Sequence, residues 1–337
     1  MAIRKRTVGV ALALVAVLAL SLASIGSASS AKSEATIKVA LITDIGGLND
    51  KGFNALANVG LQTAKKKLKV QGRVFISKSA ADYVPNLSAA ARGNYDLVIA
   101  VGFLMSDSLS AVAKKFPKTK FAIVDVSAPF MKGKPKNVRG IVFAEQEAGY
   151  LAGVAAATVS KTGTVSTIGG IKIPPVDAFI AGFQAGAKAT KPGITLLNDY
   201  SQDFVDQAKC KELALNQIAQ GSDVVFQVAG GCGLGALSAA QEKGVWGIGV
   251  DNDQSFLGKH VLTSAQKKVD QGVFQTIQLV TTGKFKGGVD GLFSVKNDGV
   301  GFGKVSPAAP PTLAAKLASV SAAIKAGKIS KIPRLVK

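Results

Sequence analysis

The segment KVALITDIGGLNDKGFN, residues 38–54, brings a carboxylate, two amides and an aromatic ring to one place in the chain. An apolar run from Val39 to Ile42 reads as a buried strand, and Asp44 follows it. A turn bearing Gly46 and Gly47 leads to Asn49 and Asp50, where a helix is expected to start, with Phe53 and Asn54 in its first turn. Open α/β sheets hold ligands where strand ends meet helix N-termini. Side chains of these types, converging there, suit a flat, hydroxylated molecule. The same residues also describe a capped helix, with Asn49 or Asp50 as the cap and Phe53 in the core.

Further residues fall at comparable positions. Asp44, Asp125 and Asp251 each close an apolar run, and Phe226 lies on a fourth. Strand ends on one side of a parallel sheet share an edge, so these residues can line one cleft. A carboxylate accepts two hydrogen bonds from vicinal hydroxyls such as those of a ribose, and a site built that way rejects a molecule lacking them. Phe53 from one side and Phe204 or Phe226 from the other can stack on a base, at roughly 1–3 kcal/mol per ring. In the run Gly230–Gly235, Gly231 lets backbone approach an uncharged ligand; the spacing of a dinucleotide loop is not met. Strand-end solvation for the aspartates and core positions for the phenylalanines are the plainer readings of each residue taken singly.

Catalysis finds little support. His260 is the one histidine, it stands at a strand start, and no G-x-S-x-G elbow accompanies it. One histidine and two separated cysteines do not form a metal-ligand set. No cofactor is expected, and the expectation is a binding protein rather than an enzyme.

Near-continuous apolar runs at 37–43, 72–76, 97–101, 121–126 and 138–143 read as buried parallel strands. Helical patterns at 51–68, 85–91 and 106–116 separate them. A second series begins at Ala144, with helices at 144–160, 175–190, 206–220, 233–243 and 266–282. Strands at 163–168, 194–199, 223–229, 246–250 and 260–264 alternate with those. Two runs of βα units predict an α/β protein with two doubly wound parallel-sheet lobes. A glycine-rich stretch at 283–304 is weakly patterned, and an Ala-rich helix closes the chain.

The opening segment resembles that of the basic membrane protein family, the substrate-binding proteins of nucleoside-type ABC importers, which includes the bacterial purine nucleoside receptor. FAEQEAGYLAG (143–153), QDFVDQAKCKELA (202–214), DVVFQVAGGCGLG (223–235), GVDNDQ (249–254) and VLTSAQKKVD (261–270) extend the resemblance in order to the C-terminal region. It implies a type I periplasmic binding protein fold with a three-crossover hinge, the crossovers falling near 143, 264 and 285. The lobes would then be 36–143 plus 265–284 and 144–264 plus 285–337. It also implies that Lys267, expected at a helix start, lies near the ligand beside Asp251. The implied function is capture of a nucleoside, a purine one by the family's pattern, between two lobes and delivery to an ABC permease by a monomeric receptor. A nucleoside- or sugar-processing enzyme and a ligand-presenting sensor for a membrane receptor are the alternatives.

Arg4, Lys5 and Arg6 precede an apolar run from Val8 to Leu22 and then small residues, the order of a secretory signal peptide over residues 1–31. Cleavage is expected near Ala28 or Ala31, giving a periplasmic protein. The region has no cysteine, unlike the lipid-anchored relatives. The chain of 337 residues is 47% hydrophobic and carries a formal charge of +20, nearly all of the excess being lysine. Nucleic-acid readers rely on arginine for bidentate contacts, so no nucleic-acid partner is expected; solvated lysine faces attracted to anionic lipid fit better. Cys210 and Cys232 are the two cysteines, and in an exported chain an even count favours a disulfide over two unpaired small hydrophobes. Relatives usually carry small residues there, consistent with a paired gain.

Overall fold

Runs such as VALI and LVIA, apolar at every position, bury both faces of a strand, and each is followed by a helix that covers one face. A computed structural model describes residues 36–336, so the expected signal peptide lies outside the described residues. The first series is β1 (Lys38–Ile42), α1 (Phe53–Leu68), β2 (Gln71–Phe75), α2 (Tyr83–Arg92), β3 (Leu97–Ala100), α3 (Ser106–Lys115), β4 (Lys120–Val124) and β5 (Val138–Phe143). The second is α4 (Glu145–Val159), β6 (Thr164–Gly169), α5 (Pro174–Thr190), β7 (Thr195–Tyr200), α6 (Gln207–Ala219), β8 (Val224–Val228), α7 (Gly233–Glu242), β9 (Trp246–Asp251) and β10 (Val261–Lys267). Then come α8 (Val269–Thr281), β11 (Asp290–Phe293), β12 (Val300–Phe302) and α9 (Leu313–Lys325).

Two six-stranded sheets result, in the orders β11-β5-β4-β3-β1-β2 and β12-β10-β9-β8-β6-β7. Every pairing is parallel except β10 with β12. The order reverses at β1/β3 in one sheet and at β6/β8 in the other, the switch points where such sheets open a crevice. The doubly wound α/β architecture expected from the sequence is therefore present in both lobes.

Three differences matter. The stretch 283–304 contains β11 and β12, which are too short to show a pattern. β11 pairs with β5, so residues 290–293 belong to the first sheet and the third crossing follows Phe293 rather than falling near 285. Finally, β10 runs to Lys267, which ends a strand instead of starting a helix.

Inside the second lobe, α4 and α5 touch backbone to backbone. A Cβ on Gly149 would meet the carbonyl oxygen of Phe179, and one on Gly182 that of Gln146. Glycine is required at both for the helices to approach this closely. Cys210 and Cys232 are bonded to each other, with Cα atoms 5.5 Å apart, and join the first turn of α6 to the start of α7. Removing this bond with a reductant is expected to lower stability by about 2–4 kcal/mol. Denaturant unfolding with and without dithiothreitol measures it; equal midpoints would contradict it. Among the described residues no helix is long and apolar enough to cross a membrane.

Candidate functional site

The carboxyl ends of the two sheets face each other across a cleft, part of it open to solvent. Asp44, Asp50, Phe53, Asn54, Phe103 and Asp125 line it from the first lobe. Phe179, Phe204, Gly231, Asp251 and Lys267 line it from the second. The lobes approach closely: a Cβ on Gly52 would lie 3.7 Å from Asp251 Oδ2, and one on Gly231 3.8 Å from the Asp50 Cα.

The wall formed by the first lobe is built by a short hydrogen-bond chain. Asp50 accepts from the backbone N–H groups of Gly52, Asn54 and Ala55, which closes the first turn of α1. Asn54, only 1% exposed, donates from Nδ2 to Asp44 Oδ1 (2.7 Å) and to Asp50 Oδ2 (3.1 Å) and accepts from Asp44 N. Its donors are thus committed, and its role is to aim Asp44. Asp44 Oδ2 lies against Gly102, whose φ of 119° and lack of a Cβ leave that oxygen room. Burial pushes the Asp44 carboxyl up to about 6, against the lowering by Asn54 and Gly46.

At the centre stands Lys267. Its Nζ donates to both oxygens of Asp125, at 3.1 and 2.9 Å, and lies 3.7 Å from Asp251 Oδ1. All three side chains are under 10% exposed. Lys267 belongs to the second sheet and Asp125 to the first, so this pair joins the lobes. The rings of Phe53, Phe179 and Phe143 surround the ammonium at 4.7, 5.4 and 5.5 Å. Burial alone would lower its pKa; Asp125, Asp251 and Glu145 outweigh burial and hold it above its ordinary value.

Asp125 and Asp251 both have left-handed backbone, φ 68° and 60°, which is unfavourable for a side chain with a Cβ. This turn swings each carboxylate off its strand end into the cleft. Asp125 is consumed by Lys267. Asp251 Oδ1 has no hydrogen-bond partner among the described residues, although buried. Burial raises the Asp251 carboxyl to about 7, with Lys267 opposing and Asp125 and Asp50 adding to the rise. Behind it, Glu145 is pushed up to about 7, burial again being the main cause; Arg334 from the C-terminal tail pairs with it at 3.2 Å.

A carboxyl whose folded pKa exceeds its unfolded value holds an extra proton in the folded state between the two. Stability then falls as pH rises from about 4 towards 7 and that contribution is flat above. Asp251→Asn is expected to lack its share of this slope, and so to gain most on wild type near pH 8. Thermal unfolding of both from pH 5 to 8 checks this; parallel curves would refute it.

The second lobe presents Phe204 on a loop whose carbonyl accepts from Cys232 N at 3.1 Å, so the disulfide braces this wall. The Phe204 ring packs over Gly170. Phe226 is corrected as a stacking candidate. It is fully buried mid-strand in β8, stacked on Phe183 with centroids 5.3 Å apart, because its side chain points to the helix-covered face. Asn49 is corrected likewise: it is exposed on the turn and does not line the cleft, and Asp50 takes the position towards the site. Sequence reasoning missed Phe103, just after β3, and Phe179, in the second turn of α5. The strand end at Ala100 pointed to the first; only the α4–α5 packing reveals the second.

A family model described as ABC transporter substrate-binding protein PnrA-like matches residues 37–332. The chain is 38% identical over 325 residues to the "ABC transporter nucleoside-binding protein BmpA" of Lactococcus lactis subsp. cremoris, covering 89% of this chain and 92% of that one. It is 34% identical over 281 residues to "Basic membrane protein D" of Borreliella burgdorferi, covering 82% and 81%. Among solved structures, an ABC transporter solute-binding protein from Aeropyrum pernix K1 superposes with TM-score 0.78 at 26% identity, over 88% of this chain and 94% of that one.

Proposed function

We propose, since the chain belongs to the PnrA-like ABC transporter substrate-binding proteins, that its cleft captures a purine nucleoside outside the cytoplasm and hands it to an importer. One observation carries the ligand class: Asp251 Oδ1, a buried acceptor with no hydrogen bond among the described residues and Lys267 Nζ only at 3.7 Å, lines the cleft beside aromatic rings from both lobes. Two vicinal hydroxyls would satisfy such an acceptor, with a base stacking on the cleft-lining rings of Phe53 and Phe204 or Phe179. Asp44 is left to accept from the base or the 5′ hydroxyl. The name of the Lactococcus relative, a nucleoside-binding protein, supports the same class.

The electrostatics narrow it further. Asp44, Asp50, Asp125 and Asp251 share the cleft with one lysine, which Asp125 already engages. Among the described residues lining the cleft a phosphate would meet carboxylates and no uncommitted cation, so charge disfavours nucleotides. On this reading the residues hold, orient and desolvate the ligand, and among the described residues no base–nucleophile pair lines the cleft. Closure around the ligand is what a permease reads, because contacts to both lobes favour the closed state.

Calorimetric titration with inosine, adenosine, guanosine, the free bases and adenosine monophosphate tests the reading. Nucleosides are expected to bind at least tenfold more tightly than either of the other classes. Equal binding of free bases removes the ribose contact, and failure of every nucleoside removes the proposed ligand.

A further inference from the structure

In a doubly wound lobe all strand starts and all helix C-termini fall on the edge opposite the cleft. In the first lobe that edge collects lysine. α1 ends in Lys65, Lys66 and Lys67, with Lys69 at its cap, and α2 ends in Arg92. α3 ends in Lys114 and Lys115, and Lys118 and Lys120 lead into β4. Lys38 starts β1, Lys136 precedes β5, and Lys284 and Lys286 lie between α8 and β11. All of these are exposed, and none is within ion-pair distance of a carboxylate among the described residues.

Acidic groups are distributed the other way. The first lobe has no glutamate between residues 36 and 144. Asp44, Asp50, Asp82, Asp107, Asp125 and Asp270 all stand at strand ends or helix starts, on the cleft side. Asp96 and Asp290 are the carboxylates left at strand starts: Asp96, beside Lys38, accepts from Lys38 N, and Asp290, the first residue of β11, is taken up by Ser127 Oγ and Ala128 N. The second lobe lacks this separation: at its far edge Glu242 pairs with Lys211 and Lys243, and Asp223 accepts from Lys161 N and Thr162 N.

Helix dipoles explain cations at the ends of α1 and α3. They do not explain Lys38, Lys120, Lys136 or Lys286 at strand starts, nor the contrast between lobes. We propose that the cleft-distal edge of the first lobe is a docking surface for an anionic lipid bilayer. Mutually repelling lysines without carboxylate partners are stabilised by a plane of phosphate head groups. Lysine rather than arginine suits a fluid, delocalised negative surface better than base edges. The chain also enters the fold at this edge, through Lys38. Docking there leaves the cleft free for ligand.

Co-sedimentation of the full chain with phosphatidylcholine vesicles, with and without phosphatidylglycerol, tests the surface. Binding is expected to rise with phosphatidylglycerol and to fall as salt is raised towards about 0.5 M. Reversing Lys65, Lys66 and Lys67 to Glu is expected to weaken the phosphatidylglycerol-dependent binding on the order of 100-fold. Reversing Lys161, Lys188 and Lys191 on the second lobe is expected to change it less than threefold by the same reckoning. Both variants keep the same N-terminal segment, and nucleoside affinity reports that each is folded. Equal binding to the two vesicle types, or equal loss in both variants, overturns the proposal. Tighter binding to duplex DNA than to the vesicles overturns it too, as the surface would then serve another polyanion.

Discussion

Asp251→Ala is expected to weaken nucleoside binding by about 2–4 kcal/mol, as two charge-assisted hydrogen bonds to ribose hydroxyls are lost. The unliganded protein should keep its thermal midpoint or gain slightly, since the lost carboxylate is buried and carries a raised pKa. Lys267 retains Asp125 in that variant. The effect is therefore a binding effect, separable from folding. For free bases, which offer no hydroxyls, the same substitution should change affinity little. Calorimetry of the variant against inosine and hypoxanthine reads both; an equal loss for each would show that Asp251 acts on something other than the sugar.

Lys267→Met is expected to cost about 3–5 kcal/mol in stability, because Asp125 and Asp251 are left buried without a counter-charge. Methionine fills similar space, so packing is a small part of the loss. Lowering the pH should recover part of it by protonating Asp251, and the double variant Lys267→Met/Asp125→Asn should recover part at neutral pH. Urea unfolding of the single and double variants at pH 5 and 8 measures these differences. A loss that is the same at both pH values would place the role of Lys267 in packing, not charge.

The two-lobed architecture was legible because buried parallel strands announce themselves as unbroken apolar runs. β11 and β12 were not, since a three- or four-residue strand beside glycines leaves no period to detect. Asp44, Asp125 and Asp251 could be placed at one cleft from their positions after apolar runs alone. Their division of labour could not. Nothing in the spacing says that Asp125 spends itself on Lys267 while Asp251 keeps a free acceptor; that depends on which sheet each lobe crossing joins. The fate of Phe226 turned on strand phase. In a strand buried on both faces, alternation of side chains is invisible in composition, so the ring facing the helices looks the same as one facing a ligand. Phe179 was hidden for a related reason: its place at the cleft depends on α4 and α5 lying in backbone contact.

Lys267 also sits one residue before the chain crosses back to the first lobe, at the base of any opening movement. In a rotation, displacement grows with distance from the axis. The ammonium, one residue from a crossing, would therefore shift less as the jaws part than cleft residues further from the crossings, such as Phe204 on its disulfide-braced loop. A ligand arriving at the open form would find the corner around Lys267 and Asp251 already assembled and the outer ring absent. For a nucleoside bound as proposed above, capture would then be ordered, ribose first and base last, and release would run in reverse, the aromatic wall lifting before the hydroxyls let go.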